Sequence, residues 1–366
     1  MRKKSPDSPS FESVVAELRA AHAGNFRKLE GKPDRRRVPT GIFQIDRVLG
    51  GGLPVNRISL LRGHKGVYKT TIALKTANNY LNSCENCFVD VAYCRCGTTK
   101  KNDKTCIFID TEQALDEGYI LRLGIDPGRI HLFQPKYGEL ACEYAEKFSN
   151  LDEVGVIIVD SLAALIPNMQ LETSYLDTFA RGLRAKLVTR MFQAMIGYLN
   201  RPDDTYPKIA IMLNHLLPKI DGGLYPGEYS PGGETQSYLS SVILKIWTRA
   251  KNESKQMEDK TDAENRRQGL GFLIEHSKVS RSNIAGEAEI HTDPEPGSRH
   301  RYGDSNDYIA LLDWASRVGL AEKSAGNYTL DGKVYGGKAL ENYLSQHPGE
   351  YWALRNGVIK ETFRDQ

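Results

Sequence analysis

The stretch "GHKGVYKTT", residues 63–71, follows the apolar run "RISLLRG" and opens the helical pattern "KTTIALKTANNYL". It departs from the phosphate-binding pattern G-x-x-x-x-G-K-[ST] at one letter, because Tyr68 stands where the second glycine belongs. A strand ending at Arg62, a turn through Gly63 and Gly66 and a helix starting at Lys69 would aim backbone N–H groups and the positive end of a helix dipole at a phosphate. Lys69 then reaches the terminal phosphates, and Thr70 is suited to ligate Mg2+. Glycine lets the backbone pass close to the phosphates. A working loop with Tyr68 therefore requires an ordinary φ at this residue and a ring turned away from the nucleotide. A surface turn that happens to contain a lysine is the other reading.

Around this loop, short apolar runs alternate with helical stretches from Thr40 onward, the texture of an α/β fold whose mostly parallel sheet is covered on both faces. "TCIFIDTE" (105–112), "GVIIVDS" (155–161) and "KIAIMLNH" (208–215) join "RISLLRG" (57–63) as strands ending in polar residues. In such sheets the ligand sits beyond the carboxyl ends of the strands. Asp160 is suited to hold a magnesium-bound water, and Glu112 to orient or deprotonate an attacking one. Taken singly, either carboxylate is equally at home capping a helix. Together with Lys69 they form a nucleoside-triphosphatase constellation.

No apolar run approaches the ~18 residues of a membrane helix, and "MRKKSPDSPS" has no signal-peptide core. The expectation is a soluble, cytoplasmic protein with no membrane partner. A net charge of +3 confines any nucleic-acid surface to local patches. Residues 1–37 carry an amphipathic helix, with Phe11, Val14, Val15, Leu18 and Ala21 at helical spacing, on a linker ending "KPDRRRVP". One helix cannot bury its own stripe, so it is expected to dock on the main domain or on another subunit. Residues 38–303 form the core, and 304–366 a small α+β carboxyl-terminal domain in which "YIALLDWASRVGLAEK" reads as a helix and "NYTLDGKVYGGKALENYLSQHP" as a hairpin and a second helix. "NESKQMEDKTDAENRRQG" (252–269) reads as a charged, solvated excursion.

Five of the six cysteines fall within residues 84–106. Cys84-x2-Cys87 and Cys94-x-Cys96, inside an insertion at 82–104, suit a tetrahedral Zn2+ that staples a segment too small to own a core. A redox pair and non-binding thiols are the alternatives. Cys106 and Cys142 are expected in the core.

"VPTGIFQIDRVLGGGLPVNRISLLRG", the loop, "CIFIDTEQALDEGYILRLGID", "VIIVDSLAALIP", "IMLNH", "SPGGETQSYLSSVILKIWTR" and "YGDSNDYIALLDWASRVGLAEKSAGNYTLDGKVYGGKALENYL" resemble the RecA recombinases, in order, over roughly residues 38–345. An aromatic residue before the loop lysine and His after "LN" look more like the RecA-type recombinases of large tailed phages. The resemblance implies a RecA-type ATPase core in which Lys69, Thr70 and Thr71 bind ATP, with Thr70 and Asp160 serving its Mg2+. It implies that Glu112 is the catalytic carboxylate, that Asp116 and Tyr119 contact the adenine, and that Tyr302 closes the far side of the base. His215 takes the switch position that reports nucleotide state to the adjoining loop. ATP would lie between subunits, with Lys278 of "IEHSKVSRSN" reaching a neighbour's phosphates; His276 stands where the family has a second lysine, and Arg281 is a substitute.

The same resemblance implies a homo-oligomeric helical filament on single-stranded DNA that pairs with homologous duplex DNA, with loading or single-strand-binding proteins as further partners. Two segments would face the filament axis, 168–190 and the Gly-rich 216–236. Arg181, Arg184, Lys186 and Arg190 would neutralise phosphates in a salt-dependent way, the amides of Gly232 and Gly233 would hold a phosphate, and Ile220 would wedge between bases. The basic residues also fit one helix's solvated face. A ring-forming motor ATPase or helicase and a non-hydrolysing, nucleotide-gated DNA scaffold remain as the other functional readings.

Overall fold

The computed structural model describes residues 10–21, 36–84, 90–94, 100–172, 182–199, 207–219, 227–249, 267–294 and 300–363. Its centre is an eight-stranded sheet. In chain order the strands are β3 (Arg57–Gly63), β4 (Thr105–Asp110), β5 (Ile130–Phe133), β6 (Val154–Asp160), β7 (Ile209–His215), β10 (Val242–Thr248), β11 (Arg267–Ser277) and β12 (Ile284–His291). The spatial order is β12-β11-β10-β3-β7-β6-β4-β5. From β10 to β5 every pairing is parallel, and β11 and β12 add an antiparallel hairpin at one edge. β1 (Arg37–Val38) pairs with β2 (Leu53–Pro54), and β8 (Leu217–Pro218) with β9 (Glu228–Tyr229).

The inner strands β4, β6 and β7, and β3 after its first residue, are apolar almost throughout because both faces of the sheet are covered there, whereas β12 at the edge alternates exposed and half-buried residues. Leu61, Phe108, Ile158 and Ile211 face one side, where α3 (Lys69–Leu81) lays down Ile72, Leu74, Ala77 and Tyr80. Leu60, Ile107, Ile157 and Met212, one residue out of phase, face the other, under α5 (Gly138–Ser149) and α7 (Leu183–Leu199). The remaining helices of this part are α1 (Phe11–Ala21), α2 (Phe43–Val48), α4 (Glu117–Arg122), α6 (Asn168–Glu172) and α8 (Thr235–Leu239). α1 forms where its spacing predicts, but Leu18 stays 45% exposed and Val14 and Val15 are only half-buried, so this chain leaves most of its stripe uncovered.

Helices Tyr308–Arg317, Gly337–Gln346 and Pro348–Thr362 and a three-stranded sheet, β13 (Glu322–Ser324), β14 (Asn327–Leu330) and β15 (Lys333–Gly336), make the carboxyl-terminal block. Its core of Leu311, Leu312, Leu340, Leu344, Leu354 and Val358 also takes in Phe43 of α2. α2 is thus shared between two cores, and a polar network fixes it there. Arg355 Nη2 donates to Asp46 Oδ2 at 2.7 Å with both side chains buried, Thr40 donates to Asp46 Oδ1, and the Phe43 amide donates to Asp307.

The cysteine-bearing insertion begins and ends against the fold. Ser83 bridges Asp90 and Cys84 bridges Lys101, and Tyr93 lies beside Gly349 of the last helix. Cys84 is buried and Cys94 half-buried; Cys87 and Cys96 lie outside the described residues, as do 252–266 of the charged excursion. Cys106 and Cys142 take the expected core roles, the first wholly buried in β4 and the second within reach of the Leu187 carbonyl.

Removing Arg355 leaves the Asp46 carboxylate buried without its charge partner. The variant R355A should lose about 3–5 kcal/mol of stability in urea unfolding monitored at the carboxyl-terminal tryptophans. An unchanged midpoint would show that the network does not hold the block.

Candidate functional site

Parallel registry brings the strand ends level. Gly63 pairs with His215, Asp160 with Leu213, and Asp110 with Asp160. Lys69, Thr70, Glu112, Asp160 and His215, which are far apart in sequence, consequently line one cleft of about 270 Å³. Lys69 is buried, and its ammonium donates to the carbonyls of Gly63 and His64 at 3.0 and 2.7 Å. Burial lowers its pKa, against the pull of Asp160 and Glu112. Thr70 Oγ1 donates to Asp160 Oδ2 at 2.6 Å. This donor set fits a triphosphate and a hard cation: amides at the start of a 13-residue helix, one ammonium, and oxygen ligands from a hydroxyl and a carboxylate.

The loop departs from expectation at Tyr68. Its φ is +65° and its ψ 21°, the left-handed conformation that a glycine would take, not an ordinary one. Nor does the ring turn away from the cleft. It lines it beside Tyr302, ring centroids 6.4 Å apart, and Tyr302 in turn meets Tyr119 edge-on at 5.9 Å. The turn itself carries this backbone: Gly66, two residues earlier, is also at positive φ (+78°), whereas the N-caps of α4 and α5 are extended, so a helix start alone does not require it.

The two carboxylates are tuned apart. Glu112 Oε1 accepts from Ser161 Oγ and contacts His215 Nε2 at 2.7 Å. The His215 hydrogen bond, opposed by burial, holds the Glu112 carboxyl down to about 2. Burial pushes Asp160 up to about 6, despite the Thr70 hydrogen bond. At the base end, Asp116 caps α4 by accepting from the Tyr119 amide, and Tyr119 Oη shares a hydrogen bond with Thr71 Oγ1. Arg122 lies 5.6 Å from both the Tyr119 and Tyr302 rings. A tether that the sequence does not announce sets Tyr302 in place. Lys75 of α3 reaches the Leu123 carbonyl and Asp304, and Gly303, at φ +80°, packs where a Cβ would come within 2.5 Å of Thr71.

The cleft is wired to the segment that follows it. Next to His215, the buried Asn214 side chain donates to the Pro231 carbonyl and to Gln236 Oε1 at 2.8 and 2.7 Å. Gln236 Nε2 in turn donates to Pro231 and Gly233. Leu216 N donates to the Gly63 carbonyl that also accepts from Lys69. His64 Nε2 meets Glu228 Oε1 at 2.8 Å, and Glu228 also pairs with Lys245. None of these partners follows from periodicity or motif spacing; only "LNH" beside a Gly-rich segment pointed here.

The other expected positions divide. Lys186 and Arg190 are exposed on α7, while Arg184 is half-buried and donates to the Leu165 carbonyl. Gly232 and Gly233, at φ +97° and +80°, press on Val188 and Ala185 of the same helix, a packing reason for glycine that the sequence reading did not supply. β8 pairs with β9 inside a segment that shows no periodicity. Arg181 and Ile220 lie outside the described residues. Lys278 is exposed, its ammonium on the Tyr238 carbonyl. By strand register its neighbour Ser277 is level, through Val242, with Ser59, four residues or about 13 Å back along β3 from Gly63. Lys278 is absent from its own cleft lining.

Asp160 gives a signed prediction. Its native pKa lies above that of an unfolded aspartate, so the native state holds the proton more tightly and loses stability as pH rises from about 4 to 6. In the absence of nucleotide, D160N should be more stable than the parent at pH 7, by roughly 1–3 kcal/mol, with the gap closing below pH 4. Chemical unfolding across that range measures it, and a less stable D160N would contradict the assignment.

The RecA N-terminal domain family model matches residues 23–270. The chain is similar to Protein RecA of Enterococcus hirae, 28% identical over 345 residues, covering 93% of this chain and 88% of that one. It is likewise similar to Protein RecA of Mycolicibacterium gilvum, 29% identical over 355 residues with 95% and 90% covered, and of Staphylococcus epidermidis, 28% identical over 347 residues with 93% and 87% covered. A solved structure described as the RadB recombinase aligns with a TM-score of 0.46 at 17% identity, covering 69% of this chain and 96% of that one. With a family model spanning more than half its length, and relatives matched along nearly all of it, the chain belongs to the RecA family.

Proposed function

We propose that this chain is a DNA-dependent ATPase of homologous recombination, which forms helical filaments on single-stranded DNA and promotes pairing and strand exchange with homologous duplex DNA. The observation that carries the reading is the continuous chain of contacts from Glu112 through His215 and Asn214 to Gln236 and the 231–236 segment. Bound at the cleft, ATP with magnesium supplies the phosphoanhydride bond whose hydrolysis resets the assembly. Lys69 and the loop amides hold its phosphates, Thr70 and Asp160 take the magnesium, and Asp116 and Tyr119 meet the adenine.

Glu112 positions the attacking water. With its carboxyl held to about 2, it is a poor base in the arrangement seen, because His215 occupies it. When His215 turns away, the carboxylate recovers basicity and the strand end carrying Asn214 moves with it, so turnover and the state of the 216–236 segment are linked. That segment and α7, with Arg181, Arg184, Lys186, Arg190, Ile220, Gly232 and Gly233, form the DNA face. Contacts there are to phosphates and base faces, which gives sequence-independent, salt-sensitive binding. Lys278, remote from its own cleft, serves the neighbour's phosphates, which makes assembly a condition of turnover. α1, with its uncovered stripe, docks on that neighbour. The likeness to the tailed-phage branch rests on Tyr68 and His215.

Zinc is assigned to Cys84, Cys87, Cys94 and Cys96. Cys84 and Cys94 are held near the bridged ends of the insertion. Among the described residues no group of three or more metal-binding side chains occurs, so the assignment stands on the spacing of the four thiols.

Three measurements test these assignments. Glu112→Gln should retain ATP-dependent binding to single-stranded DNA and lose about 10²–10⁴-fold in phosphate release; unchanged hydrolysis would remove Glu112 from the chemistry. Electron microscopy with ATP and single strands should show helical filaments, and closed rings would favour a motor ATPase instead. Elemental analysis of the purified chain should find one zinc, lost in C87S and C96S; a metal-free parent that folds normally would dismiss the zinc.

A further inference from the structure

Tyr68 is a strained residue whose half-buried ring packs in part on the main core and in part lines the cleft. A left-handed backbone at a non-glycine residue is strained and persists where surrounding structure or function requires it. Glycine would remove that strain at this position, which the phosphate-loop pattern already reserves for it. What the tyrosine adds is a ring directed into the cleft, between the phosphate-binding turn and the corner formed by Tyr119 and Tyr302. Tyr302 stands in the middle, 6.4 Å from the Tyr68 ring at 45° and 5.9 Å from the Tyr119 ring at 70°. Tyr302 is inclined to each of the other two rings and stacked on neither.

From this geometry we infer that Tyr68 is a base-specificity residue. It completes a three-tyrosine wall with Tyr119 and Tyr302 that selects a nucleoside triphosphate with a two-ring base over one with a single ring. The inference rests on the nucleotide reading of the cleft and extends it to a residue in the phosphate loop. The larger π surface of a purine gains more from an aromatic wall than a pyrimidine does, because stacking and apolar burial scale with the covered area.

The test compares the full-length parent with Y68G and Y68F. Dissociation constants are measured calorimetrically for magnesium ATP, magnesium CTP and inorganic triphosphate, and unfolding midpoints are recorded without ligand. In Y68G, ATP should bind about 10-fold more weakly, inorganic triphosphate within about 2-fold of the parent, and the ATP-over-CTP preference should shrink accordingly. The Y68G midpoint should equal or exceed the parent's. Y68F, which keeps the ring, should keep the ATP-over-CTP preference. An unchanged preference in Y68G would overturn the inference, and so would an equal loss for ATP, CTP and triphosphate, which would mark Tyr68 as a support of the loop itself. A parent that binds neither ATP nor triphosphate would instead remove the nucleotide reading on which the inference stands.

Discussion

Everything in this molecule depends on the parallel pairing of four strands whose carboxyl ends stop at one level. With β3 beside β7, β7 beside β6 and β6 beside β4, the pairs Gly63–His215, Asp160–Leu213 and Asp110–Asp160 fix lysine, carboxylates and histidine relative to one another through backbone hydrogen bonds. A slip of one residue in any pair would turn every side chain of that strand to the other face. The two buried faces forbid it, because Leu60 and Leu61, or Ile157 and Ile158, belong to different cores. The apolar interior therefore sets the geometry of the cleft indirectly, through register.

On that frame the polar groups are arranged in opposition. Burial raises Asp160 toward neutrality, while His215 keeps Glu112 fully ionised. Divergent environments for neighbouring carboxylates are a mark of functional sites. The Gly63 carbonyl, accepting from both Lys69 and Leu216, joins the phosphate loop to the segment after His215 by a second route, and His64 with Glu228 by a third. Three independent contacts make it difficult to move the loop without moving that segment.

The sequence was legible where a signal is local. Four strands ending in polar residues, the helix at Phe11–Ala21 and the hairpin before Gly337 could be read from periodicity because each buries one face or two in a simple way. The last helix, Pro348–Thr362, was not anticipated: it sets Leu354, Arg355, Val358 and Ile359 against several partners at once and shows no clean stripe. At the site, Lys69 was visible at a helix start, and Glu112, Asp160 and His215 at or just past strand ends. Lys75–Asp304 and Asn214–Gln236 were not, since each contact joins residues 22 or more apart whose pairing is decided by tertiary packing. Tyr68 shows the limit most clearly. Its identity breaks the motif, yet its backbone keeps the glycine-like φ and its ring lies beside Tyr302 at the cleft.

The central claim is that the triphosphate cleft and the 216–236 segment are one coupled unit. Coupling between two binding sites is reciprocal: whatever factor nucleotide contributes to DNA affinity, DNA must contribute to nucleotide affinity. The most direct measurement is therefore a pair of titrations on the intact chain, single-stranded DNA with and without a non-hydrolysable ATP analogue, and the analogue with and without DNA. The account predicts the same enhancement in both directions, about 5-fold or more. Two affinities that ignore each other would contradict it.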